Sequence, residues 1–186
     1  GENEVGTSTP LNVSVAEFDN QITQGKSGLK DFLETNDYFG SALASGDFNG
    51  DGFGDLIVSA KGESTSNSGG EGIVHAMLSF PDLSNNLIIT RLSSQWDSGF
   101  NSNFGDSLAT GDFNGDGFDD LIVGVPSEDI ESAENAGMIQ VFYGGVSPFS
   151  VTNIFHQNSA GVAGSALSNE RFGAAVASGD LNADGY

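Results

Sequence analysis

Apolar residues in this chain come in short bursts of three to seven, set apart by glycine, asparagine, aspartate and serine. Bursts of that length, rich in valine and isoleucine and bounded by turn-forming residues, predict β-strands rather than helices. Leu56-Ile57-Val58 and Leu121-Ile122-Val123 are two such strands, and Gly72–Leu78 and Gly137–Tyr143 are two more. A further strand follows each time, at Leu87–Leu92 and Val151–Phe155. Leu11–Phe18 alternates apolar and polar positions as a half-buried strand does, and Gly28–Leu33 reads as another strand or a short helical turn. Residues 1–10 carry no periodic signal and read as a linker or frayed end. The alternation places His75 on the exposed side of its strand, where Gln140 stands in the next unit.

The strands repeat. Phe39-Gly40 opens a unit that recurs at Phe104-Gly105 and at Phe172-Gly173, a period of 65 and then 68 residues. Each complete unit holds a strand of small residues, an acidic loop, an apolar strand, a variable polar insertion (Ser64–Gly70 in the first) and two further strands. Four antiparallel strands at this period form a β-propeller blade, whose two apolar faces are hidden only by stacking on neighbours. The predicted fold is therefore all-β: an outer half-blade at 11–38, blades at 39–103 and 104–171, and the start of another at 172–186. Propellers close with four to eight blades, so these units form an incomplete ring or a fragment of a larger one.

The acidic loops carry the candidate chemistry. In the first, Asp47, Asn49 and Asp51 alternate, Gly52 follows, and Asp55 stands at the ninth position. In the second the set is Asp112, Asn114, Asp116, Gly117 and Asp120. The third offers Asp180, Asn182, Asp184 and Gly185, and has no ninth position before Tyr186. Oxygens at positions 1, 3, 5 and 9, with the main-chain carbonyl of position 7 (Phe53, Phe118), can converge on one calcium ion, a hard cation that accepts six to eight flexible oxygen ligands. An isolated copy would pass for an Asx-rich turn. An EF-hand is excluded, because position 12 is Val58 or Val123 rather than a glutamate, and an apolar strand follows instead of a helix.

Composition narrows the setting. The chain has 26 acidic against 5 basic residues and a formal charge of −21, which repels nucleic acid and anionic membrane surfaces. It contains no cysteine and no apolar run long enough to insert in a membrane. Loops of modest ligand count work where calcium is near millimolar, which points to an extracellular, secreted or cell-surface location. The chain starts at Gly1, which reads as a mature or excised piece of something longer.

The Phe-Gly…Gly-Asp-Phe-Asn-Gly-Asp-Gly-Phe-x-Asp-Leu-Ile-Val signature resembles the FG-GAP repeat of the integrin α-subunit propeller and its bacterial relatives, over about 39–186. The resemblance implies calcium at Asp47, Asn49, Asp51, the Phe53 carbonyl and Asp55, and at Asp112, Asn114, Asp116, the Phe118 carbonyl and Asp120. It implies a third set at Asp180, Asn182 and Asp184, lacking the closing aspartate. It also implies that each Phe-Gly pair packs at a blade junction. Two features depart from the family: its Gly-Ala-Pro turn survives only as Gly124-Val125-Pro126, and its seven blades are not all here.

Three functional readings follow. The first is a non-catalytic calcium-binding scaffold or adhesion module, with a protein or glycan ligand at the cell surface or matrix and further blades from a longer chain or another subunit. The second is a carbohydrate-binding module, with Tyr38, Trp96, Tyr143 and Phe149 as stacking surfaces. An enzyme is the weakest, because the carboxylates recur in every unit at cation-ligand spacing and an active site is normally unique. Asn12-Val13-Ser14 is a glycosylation sequon inside a predicted strand, and the five basic residues read as solvated or locally paired.

Overall fold

A computed structural model describes residues 22–24, 29, 34–64, 70–79, 85–90, 101–149 and 152–181. Most of the proposed outer half-blade, the sequon at Asn12, Trp96, Arg91, Asn182 and Asp184 lie outside these residues. The described residues form eight strands: β1 (Phe39–Gly46), β2 (Asp55–Ala60), β3 (Ile73–Met77), β4 (Asn86–Thr90), β5 (Leu108–Gly111), β6 (Asp120–Val125), β7 (Met138–Phe142) and β8 (Thr152–Phe155). They make two four-stranded antiparallel meanders, β1-β2-β3-β4 and β5-β6-β7-β8, and no helix occurs among the described residues.

The register repeats with the sequence. Gly46 faces Asp55 and Leu56 faces Met77 in the first sheet; Gly111 faces Asp120 and Leu121 faces Phe142 in the second. The outer edge departs, with Val74 opposite Ile89 but Ile139 opposite Phe155, one residue further along, and in the first sheet alone the inner pair extends across a register shift to set Phe39 opposite Ala60. Identical turns impose identical registers, because a slip of one residue would turn every buried side chain outward.

One apolar cluster joins the sheets. Ile57, Val74, Ala76 and Ile89 of the first meet Leu121, Val123, Val125, Met138 and Phe142 of the second, with Phe48 and Phe104 fully buried among them. Val58 and Met77 look the other way, onto Leu29. The first sheet is thus covered on both faces, as a blade must be.

That covering overturns one expectation: His75 and Gln140 are fully buried, not exposed. Strand alternation assigned them a face correctly, since their cross-strand partners are Val58 and Val123. It could not show that a second layer lies over that face. The His75 ring sits edge-on to Phe39 at 5.4 Å between centroids.

The blade junction is built from glycine. Phe104 N–H donates to the Glu71 carbonyl at 3.1 Å, and Phe172 N–H donates to the Ala136 carbonyl at 2.7 Å. A Cβ on Gly72 would stand 2.3 Å from the Phe104 carbonyl oxygen, and one on Gly137 would stand equally close to that of Phe172. Both glycines also have positive φ, so a side chain is excluded by strain and by space. Beyond Phe172 the chain runs to 181 without forming a strand; its tie to the second sheet includes a parallel bridge from Gly137 to Phe172.

Two residues before each Phe-Gly pair lie in the left-handed region: Asn36 and Tyr38, Asn101 and Asn103, Asn169 and Arg171. Asparagine tolerates that conformation better than most residues. The doubled bend at Asn36 and Tyr38 leads directly into β1, and the one at Asn101 and Asn103 leads toward β5.

Candidate metal-binding loops

Each acidic loop joins the innermost pair of strands, β1 to β2 and β5 to β6, and the two share one hydrogen-bond pattern. Asp47 Oδ1 accepts from Gly50 N–H at 2.8 Å and from Asp51 N–H at 3.1 Å, and its Oδ2 accepts from Gly52 N–H at 2.9 Å. Asp112 does the same with Gly115 at 2.8 Å, Asp116 at 3.1 Å and Gly117 at 2.8 Å. Asn49 and Asn114 each accept from the N–H two residues on, at 2.8 Å, and donate to the carboxylates of Asp51 and Asp116 at 3.1 and 3.0 Å. Asp51 and Asp116 accept in turn from Phe53 and Phe118 N–H, at 2.9 and 3.0 Å. The turn is possible because Gly50, Gly52, Gly115 and Gly117 all carry positive φ.

The ninth-position aspartates close each loop from below. Asp55 Oδ2 accepts from Phe48 N–H at 3.0 Å, and Asp120 Oδ2 accepts from Phe113 N–H at 2.9 Å. Both carboxylates are buried, whereas Asn114, Asp51 and Asp116 are exposed. Burial pushes the Asp55 carboxyl up to about 6, its bond from Phe48 draws it back, and repulsion from Asp51 and Asp47 raises it again. Asp120 is raised for the same reasons, with bonds from Gly144 and Phe113 opposing burial, and Asp116 and Asp112 adding repulsion. Three carboxylates crowded around hard amide oxygens form a donor set that a divalent cation would relieve. Asp47, Asn49, Asp51 and Asp55 can hold it in the first loop, and Asp112, Asn114, Asp116 and Asp120 in the second. Of the third set, Asp180 falls within the described residues.

Three features escaped the reading of the sequence. Asp119, the eighth residue of the second loop, reaches across the blade junction, and its Oδ2 accepts from Asp47 N–H at 2.7 Å. Asp119 N–H returns a bond to the Asp47 carbonyl at 3.1 Å, so the two loops lock together. The first loop has Gly54 at that position, which hides the role from a comparison of repeats.

Second, the carboxylates of Glu34, Asp37 and Glu63 lie within 4.8 Å of one another at the opposite end of the strands. Gln24 donates to Glu63 at 2.9 Å, and Glu34 N–H donates to Asp37 at 2.6 Å. Third, Lys61 pairs with Asp106 at 2.6 Å, again across the junction. Of the proposed stacking residues, Phe149 packs on Phe48 at 5.4 Å and the Tyr143 hydroxyl accepts from Asn153 at 2.9 Å, while Tyr38 remains 60% exposed.

Comparison with known proteins agrees with this architecture. The family model described as FG-GAP repeat matches residues 39–77 and 104–142. Each match runs from the Phe-Gly pair to the end of the third strand. Phosphatidylinositol-glycan-specific phospholipase D from Dictyostelium discoideum is 35% identical over 126 residues, covering 58% of this chain and 12% of that protein. The proteins of the same name from Bos taurus and Homo sapiens are 35% and 36% identical over 114 residues, which is 56% of this chain and 13% of each. The chain thus spans about an eighth of the length of these relatives. It carries two FG-GAP repeats, at 39–77 and 104–142.

Proposed function

We propose that the chain is a non-catalytic, calcium-binding scaffold of extracellular or cell-surface proteins, in which calcium stiffens the hairpin at the inner edge of each blade. The observation that carries this reading is the duplication of one within-turn hydrogen-bond network, made by Asp47, Asn49 and Asp51 in the first loop and by Asp112, Asn114 and Asp116 in the second. Carboxylates repeated in this way serve the repeat; a catalytic pair would occur once. The relatives named for phospholipase activity share only about an eighth of their length with this chain, so the likeness supports a shared accessory module rather than a shared reaction.

Calcium acts on stability by mass action, because an unfolded chain cannot gather the ligands. At a calcium level ten times Kd, each filled loop adds about 1.4 kcal/mol. The role in adhesion rests on the scaffold's presenting loops at the end of the blades away from the metal, to a protein or glycan ligand. Thermal melting with and without a chelator tests the stabilising role: calcium raises Tm reversibly, and an unchanged Tm at millimolar calcium defeats the proposal.

A further inference from the structure

At the end of the strands opposite the acidic loops, the first repeat opens into a cleft of about 300 Å³, at the lower limit of small-molecule sites. Its walls include Asn36, Tyr38, Lys61, Gly62, Gly70 and Asn101. These residues lie between β2 and β3 and before β1 and β5, and none of them is a proposed calcium ligand.

The second repeat shows what the same scaffold does at the same positions. There Asn103 replaces Tyr38, Pro126 replaces Lys61, Ser127 replaces Gly62 and Asn135 replaces Gly70. Asn103 donates to Ser127 at 2.8 Å, and Asn135 reaches Asn169 at 3.5 Å, so side chains bridge the gap. One bond beneath recurs in both repeats: Gly70 N–H donates to Ser64 Oγ at 3.0 Å, as Asn135 N–H donates to Asp129 at 2.7 Å.

In the first repeat two glycines remove that filling. A Cβ on Gly62 would stand 1.9 Å from the Asn36 carbonyl oxygen and 2.8 Å from the Tyr38 ring; a Cβ on Gly70 would stand 2.0 Å from Asn101 Oδ1. The bare glycines let the tyrosine ring and the Asn101 amide settle at the cleft, and Tyr38 stays 60% exposed. The left-handed backbone at Asn36, Tyr38, Asn101 and Asn103 recurs before every Phe-Gly pair and belongs to the fold. The furnishing of this cleft differs between the repeats, and that difference is what marks it.

From this geometry we infer that the cleft binds an uncharged pyranose unit of a glycan. Tyr38 offers a flat ring at low entropic cost to the apolar C–H face of a sugar. The amides of Asn36 and Asn101 each carry donors and an acceptor, matching vicinal hydroxyls that need both. Lys61 is neutralised by Asp106 at 2.6 Å, and the formal charge of −21 repels anions. An uncharged polyol with one apolar face fits this lining better than a carboxylate or phosphate. The site is distinct from the proposed calcium loops, so its failure leaves that proposal standing.

The test is titration of the whole chain, in millimolar calcium, with the methyl pyranosides of glucose, galactose, mannose and N-acetylglucosamine, read by saturation-transfer NMR. Glucuronate and inorganic phosphate serve as anionic probes. At least one neutral glycoside is expected to bind at millimolar concentration. Tyr38→Asn, which installs the residue the second repeat already holds at this backbone conformation, raises Kd at least tenfold with Tm unchanged. Gly70→Asn closes the cleft without touching the ring and gives the same loss. Binding of none of the four glycosides, stronger binding of glucuronate or phosphate, or binding indifferent to both substitutions would overturn the inference.

Discussion

The two repeats are nearly identical at one end and different at the other. Their acidic loops share the hydrogen bonds made within each turn, by Asp47, Asn49 and Asp51 in one and by Asp112, Asn114 and Asp116 in the other. Their far ends share left-handed bends and junction glycines but exchange Tyr38, Lys61, Gly62 and Gly70 for Asn103, Pro126, Ser127 and Asn135. The loop end is held constant because the side-chain oxygens and main-chain N–H groups paired within the turn fix its shape, and a substitution there leaves a partner without its bond. The far end is free to vary because the turn needs only its left-handed bends and its junction glycines. Constancy therefore marks the structural device of this fold, and divergence marks the place where one blade can acquire a role of its own.

The comparison can be broken hardest at the junction phenylalanines. Phe104 is fully buried between both sheets, whereas Phe172 is half-buried on the second sheet alone. Phe104→Ala should lower unfolding free energy by about 3–5 kcal/mol in urea titration, and Phe172→Ala by clearly less. A smaller loss at Phe104 would mean that the two sheets do not share a core. Next comes the pair Ser59 and Gly124, which occupy one position of the repeat. A Cβ on Gly124 would lie 2.1 Å from the Gly173 carbonyl oxygen, where Ser107 Oγ donates at 2.8 Å. Gly124→Ser should destabilise by about 1–3 kcal/mol by expelling the segment after Phe172.

The cross-junction carboxylate sharpens the comparison further. Asp119→Ala leaves Asp47 N–H without its partner and should cost about 1–3 kcal/mol, while Gly54→Ala, facing open space at the matching position, should stay within about 0.5 kcal/mol. The smallest effect is expected at His156, whose imidazole is pushed below its ordinary 6.5 by burial, with Glu131 opposing. The folded protein binds that proton less readily than the unfolded chain. His156 therefore contributes stability that is complete above 6.5 and lost as pH falls through its lowered folded value. Urea midpoints at pH 7.5 and 5, compared with those of His156→Gln, should show less acid sensitivity in the variant.

Much of this was legible in the residues alone. The strand bursts, the 65-residue period and the ligand spacing fixed the two sheets and the candidate loops, because local pattern and repeat agree at those positions. What was not legible depends on neighbours. The burial of His75 and Gln140 is decided by a layer laid over their face, which alternation within one strand cannot register. The bond from Asp47 to Asp119 joins residues 72 apart, and Gly54 breaks the repeat where it would have been noticed. One signal was available and unused: Asn36, Asn101 and Asn169 each stand three residues before a Phe-Gly pair, and asparagine in that register predicts the left-handed bend.

The central claim, that both acidic nonapeptides hold calcium, is tested most directly by calorimetric titration of calcium into chelator-stripped protein alongside Asp116→Ala. The account predicts saturable binding to the unsubstituted chain, and one fewer bound ion in the variant, with the first loop still filling. Equal stoichiometry in the two proteins, or no heat at millimolar calcium, would contradict it.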